Sequence, residues 1–211
     1  MSNIFDGVKL TQCFNLVSNA GKEIDALSEV LNNQIAKAIA KTSFRPDQKE
    51  PMYSGRNDDS GWIFTDFAYS FALKSKNKKV ADKKLGYQVS LLGDGVGFSE
   101  KAEPLLHVFF WGDAADFDDD SYMCIPHPAS SEDPWELVYN GQLISWDNLN
   151  GWTFSIRLTT LNSTQDLEQY VVNPAIALLN GEKPEEAFPE LNPGLVTYQI
   201  VEDGMLIIKE D

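Results

Sequence analysis

Five carboxylates fall within eight residues at Asp113-Ala-Ala-Asp116-Phe-Asp118-Asp119-Asp120, directly after an apolar run from Leu105 to Trp111. Clustered carboxylate oxygens are what hard cations such as calcium and magnesium prefer, and equally what a basic protein surface recognises. Spacing separates the two. With Asp116 as the first position of a calcium loop, Asp118 and Asp120 stand correctly at the third and fifth, but Ser121 takes the glycine position and His127 that of the bidentate Glu. A solvated surface loop is the plainest reading of such a run, because clustered charge rarely lies inside a protein. Among functional readings, docking to a basic partner ranks ahead of metal. The partner-binding candidates are Asp113, Asp116, Asp118, Asp119 and Asp120, extended by Glu132 and Asp133.

Cys124-Ile-Pro-His127 supplies metal-ligand types at short spacing, with His107 as a further nitrogen donor. A structural zinc site needs four protein ligands and a catalytic one three plus water, and only Cys13 is left to add sulfur. A Cys124 nucleophile would need an imidazole beside it to form the thiolate, yet His127 sits between Pro126 and Pro128 in a stiff loop. His107 shares its strand face with Leu105, Phe109 and Trp111, where a hydrogen-bonded core histidine is the ordinary outcome. Both cysteines read most simply as small buried hydrophobes. Gly93-Asp-Gly95-Val-Gly97 fails as a phosphate loop: its third Gly comes one residue early, no Gly-Lys-Ser/Thr follows, and Pro104 leaves no room for the helix that would hold the phosphate. No cofactor is expected.

Charge divides the chain in two. Residues 1 to 101 carry 14 basic and 12 acidic side chains, net +2, whereas residues 102 to 211 carry 3 and 20, net −17, together the −15 of the whole. Such a field repels nucleic acid and anionic lipid and attracts basic surfaces. The six lysines at 74, 76, 78, 79, 83 and 84 lack interleaved aromatics and read as an exposed connection between strands, not a nucleic-acid patch. No run of eighteen apolar residues occurs, and Met1 to Asp6 has neither a basic n-region nor an apolar h-region, so a cytoplasmic protein is expected.

Periodicity places these residues on elements. Leu10, Cys13, Phe14, Val17, Ala20, Ile24, Leu27, Leu31, Ile35, Ala38 and Ile39 recur at helical spacing, which predicts a long helix over about 10–42 with a kink site at Gly21. Its apolar face is expected to dock on the protein's own sheet, with self-association through this helix as the other option. Residues 43–61 read as a long loop. The period then becomes two, giving strands over 62–73, 87–92 and 105–111, a hairpin about Asn140-Gly141, a strand over 152–161, and a second hairpin about Asp203-Gly204. Ser163 followed by Asp166 caps a second helix over 163–180, bent at Pro174. Strands follow strands between helices, so the expected fold is one α+β domain over 1–211. Its mainly antiparallel sheet has about six to eight strands, packed by the long N-terminal helix and the second helix.

The functional expectation is a non-enzymatic acidic interaction protein that binds and masks a basic surface on a partner macromolecule, of the inhibitor, immunity, antitoxin or adaptor type. A metal-dependent hydrolase or transferase built on Asp113–Asp120 is the alternative. Neither nucleic acid nor membrane is an expected partner. Of the five tryptophans, most belong in the core and one or two at an interface.

Overall fold

The computed structural model describes residues 6–47, 50–75, 77–91, 103–112, 137–146, 150–200 and 206–209. Helix α1 spans Gly7–Ile39, capped by the Asp6 carboxylate, which accepts from the Val8 amide at 2.9 Å. It runs unbroken through Gly21, since one Gly costs only about 1 kcal/mol in a helix interior and the stripe on either side continues. The strands are β1 (Phe44–Pro46), β2 (Met52–Asn57), β3 (Phe64–Ser75), β4 (Lys83–Ser90), β5 (Leu105–Trp111), β6 (Leu137–Asn140), β7 (Leu143–Trp146) and β8 (Gly151–Arg157). They form a single antiparallel sheet, the order being β1-β3-β4-β5-β8-β7-β6 with β2 also on β3. β1 pairs with Leu73–Ser75 and β2 with Phe64–Ser70, so the two occupy successive stretches of β3 and the eight segments fill seven strand positions.

The α+β class with a mainly antiparallel sheet is therefore as expected, while residues 43–61 are not the structureless loop that their composition predicts. Edge strands need satisfy only one neighbour, so Arg45-Pro46 and the Gly55-centred β2 form without the alternating pattern of a half-buried strand. Gly86 shows why a small residue sits mid-sheet: a Cβ there would run into the Tyr69 carbonyl and stand 2.6 Å from the Phe109 ring. Gly141 has φ +60°, the conformation the β6–β7 turn requires.

One face of the sheet carries the hydrophobic core. Phe67, Phe71, Leu85, Tyr87, Val89, Leu106, Val108, Phe154 and Ile156 point to it and meet Leu31, Ile35 and Ile39 of α1. The remaining cover comes from a helical run that opens at α2 (Thr164–Asp166), widens to a π segment over Leu167–Val172 and closes as α3 (Asn173–Leu179), followed by α4 (Pro184–Ala187). Ser163 caps it as predicted, accepting from the Asp166 amide while the Asp166 carboxylate accepts from the Asn162 amide. Pro174 does not end this run. The wider π turn accommodates a ring that would collide with the carbonyl four residues back in a regular helix. A separate pair, β9 (Tyr198–Ile200) and β10 (Leu206–Ile208), closes the described chain, matching the second predicted hairpin. Among the described residues, no helix is long and apolar enough to cross a membrane.

Candidate functional site

Asp113, Asp116, Asp118, Asp119, Asp120, Glu132 and Asp133 all lie outside the described residues, as do Cys124, His127 and the Gly93–Gly97 segment. Among the described residues, no three His, Cys, Asp or Glu side chains gather as a metal site would require. Three lysines of the segment 74–84 are engaged within the chain. Lys74 pairs with Asp47, Lys78 Nζ lies 2.5 Å from Asp82, and Lys83 Nζ donates to the Gly112 carbonyl at 2.8 Å.

Polar chemistry concentrates on the sheet face opposite the core. Register sets Gln88 of β4 beside His107 of β5, and His107 beside Ser155 of β8, all fully buried. Ser155 Oγ lies 2.6 Å from His107 Nδ1 and accepts from the Tyr198 hydroxyl at 2.6 Å. Ser155 Oγ thus bridges the Tyr198 hydroxyl and the His107 imidazole. Burial, by penalising the charged form, pushes the His107 pKa down to about 3. Ser155 and His107 are a nucleophile and a base by type, but with Tyr198 they expose no surface to a substrate. The arrangement pins β9 to the sheet. The expected hydrogen-bonded core histidine is what stands here.

Next along the same face, Asp66 is buried and receives the Arg56 guanidinium in a forked contact, Nη2 at 2.7 Å and Nε at 2.9 and 3.1 Å to its two oxygens, with the Thr65 hydroxyl at 3.0 Å. A buried carboxylate with this many donors is a satisfied structural charge that locks β2 onto β3.

The uncovered surface lies on the core side, along the first half of α1. Every residue from Gly7 to Ala20 is exposed, and the first buried position is Ser28. The expectation that α1 docks its whole face on the sheet holds only for its second half. Cys13 is exposed, not the buried hydrophobe its type predicts, because it lies in this uncovered stretch. Beside it stands the β2–β3 connection, whose Trp62 is 72% exposed and packs its ring 6.2 Å from that of Phe14. Asp58 holds that turn: its carboxylate accepts from the Trp62 and Ile63 amides at 2.8 and 2.9 Å and from the Ser60 hydroxyl, and these bonds pull its pKa below the usual range.

Between α1 and this turn opens a cleft of about 690 Å³. Val17, Ala20, Ile24 and Leu27 form one wall, Tyr53, Trp62, Ile63 and Phe64 the other, and Phe67 and Tyr69 of β3 line it too. Glu23 and Asp25 are the charged side chains in its lining. An apolar cleft with so few charged anchors can hold an apolar face of another molecule. Sequence reading placed Val17 and Ile24 on an apolar stripe and allowed tryptophan at an interface, but joining Trp62 to α1 required the fold.

Comparison with known protein families, with curated proteins and with solved structures finds no match to this chain.

Proposed function

We propose that this chain is a non-enzymatic interaction protein whose acidic second half attracts and masks a basic surface on a partner macromolecule, in the manner of an inhibitor, immunity protein, antitoxin or adaptor. One observation carries the reading. On the helical run and the segment after it, Glu168, Glu182, Glu185, Glu186 and Glu190 are all exposed, and Lys183 is the one exposed cation among them. These carboxylates belong to the half whose net charge is −17, so their field sums with that of Asp113–Asp120, Glu132 and Asp133 in sequence. Steering by such a field accelerates encounter with a basic surface and weakens as salt screens it, over a Debye length of about 8 Å at physiological ionic strength. Nucleic acid and anionic membrane are disfavoured by the same sign.

The experiment is co-purification with the tagged full chain at low and high salt. A stoichiometric basic partner released by salt supports the reading, and neutralising Glu182, Glu185, Glu186 and Glu190 to Gln should slow its association without lowering thermal stability. Recovery of the chain alone at both salts, or an association rate indifferent to those substitutions at low salt, would refute it.

A further inference from the structure

The uncovered half of α1 needs an occupant of different character, because the charge that draws a basic partner is elsewhere. Residues 7 to 27 hold Lys9 and Lys22 against Glu23 and Asp25, a net charge of zero. We propose that a second copy of this chain covers this face, its α1 lying antiparallel against the first with apolar side chains seated in the cleft beside Trp62. This deepens the interaction reading above and rests on it only in that both make the chain a macromolecular contact protein.

Three observations select a second copy. The first is pattern. Leu10, Cys13, Val17, Ala20, Ile24 and Leu27 alternate at steps of three and four, the seam by which one helix packs against another. Val17, Ala20, Ile24 and Leu27 of that seam line the cleft, while Leu10 and Cys13 stand exposed beyond it, ready to enter the same cleft on another copy. The second is area. Fully burying an aromatic side chain removes about 150–250 Å². Phe14, Tyr53, Trp62 and Phe64, each about half exposed or more, thus hold roughly 450 Å² between them. With Leu10, Leu16, Val17 and Ile63 the patch approaches the ~800 Å² per partner of a standard interface.

The third is charge, which also fixes direction. Two acidic halves repel, so they must be kept apart while the neutral helices meet. In an antiparallel pair that crosses between Val17 and Ala20, Leu10 of one copy meets Leu27 of the other and Cys13 meets Ile24. At 1.5 Å per residue each Leu31 then lies about 19 Å from the crossing, so the two docked ends stand about 40 Å apart. That is about four or five Debye lengths at physiological salt. A parallel pair would bring both docked ends to one side, within about a helix diameter of each other.

Sedimentation of the full chain tests this. The wild type is expected at twice 23.6 kDa, and Leu10→Asp with Val17→Asp at the single mass, with dimer affinity down by at least about a hundredfold. Both positions are exposed in the single chain, so the variant should keep the wild-type circular dichroism and, at a dilution where the wild type is monomeric too, its melting curve. Direction is read in a Cys124→Ser background by oxidation. Adding Ile24→Cys should create a cross-link between position 13 of one copy and position 24 of the other, whereas bridging of Cys13 to Cys13 alone would overturn the antiparallel arrangement. A wild type that stays at the single mass at about 100 µM, or a dimer that survives both aspartates, would overturn the proposal itself. Poly-lysine binding, which probes the acidic half, should be equal in the wild type and the monomeric variant; its absence while the dimer persists would count against the acidic reading and leave self-association standing.

Discussion

From Ser28 to Ile39, α1 buries Ser28, Leu31, Ile35 and Ile39, whereas from Gly7 to Ala20 the same apolar stripe continues with every residue exposed. The amino-acid pattern does not change at the boundary; what changes is the presence of a sheet and a helical run beneath it. Helical periodicity reports that a face wants cover and says nothing about who provides it. In the second half the provider is this chain, in contact with β1 and the π segment. In the first half no described element of this chain lies over the stripe, which is where the proposed second copy would sit.

The sharpest way to break that contrast is to truncate both halves alike. Leu31→Ala should cost about 2–5 kcal/mol, since Leu31 is fully buried and its removal leaves a cavity, and the loss would appear in the urea midpoint. A loss below about 1 kcal/mol would mean that the second half is no more docked than the first.

Acid separates the sheet that supports α1 from the helix itself. The unfolded chain protonates His107 below its ordinary pKa of 6.5, while the buried imidazole resists until about 3, so the unfolded state binds more protons throughout that window. Stability therefore falls as pH drops from about 6.5 towards 3, by about 2 kcal/mol at pH 5. Urea titrations at pH 7 and pH 5 should show this slope in the wild type and its flattening in His107→Gln.

A smaller effect tests the polar tie between helix and sheet. The Tyr87 hydroxyl, buried under α1, donates to the Asn32 side chain at 3.0 Å, and burial raises its pKa far above the usual range. Tyr87→Phe should cost about 1 kcal/mol, the net worth of one such bond. At the boundary, Gly21→Ala meets nothing within 4 Å and should stabilise the chain by about 0.5–1 kcal/mol, read as a raised melting temperature. Least of all, Leu10→Ala in a dilute, monomeric sample should stay within about 0.5 kcal/mol of the wild type. Set beside Leu31→Ala, that value measures how much of the stripe the fold uses.

Much of the framework was legible. The apolar run of β5 begins and ends as read, the β6–β7 turn falls at Asn140-Gly141, and Ser163 caps the second helical run. Each of these is a local signal. What escaped depended on neighbours: β1 and β2 exist because β3 offers them an edge, and residues 43–61 carry no period of their own. His107 was placed in a core strand, yet Ser155 and Tyr198 could be joined to it only once β5 and β8 were known to be adjacent. Of the site, the α1 stripe was visible and its exposure was not, because exposure is a property of the partner surface. The acidic candidates from Asp113 to Asp133 lie outside the described residues.

The strand order has a consequence for how the chain emerges during synthesis. β5, apolar on both faces, must wait for β8 to cover its second edge, and 42 residues separate Phe110 from its partner Trp152. At about 5–20 residues per second, a translating ribosome leaves that edge open for roughly 2–10 s. Until then the nascent strand has β4 on one side and none of its final neighbours on the other. The interval is when a chaperone would find this protein most recognisable, and slowing or speeding translation between codons 112 and 150 should change its soluble yield more than the same change made elsewhere.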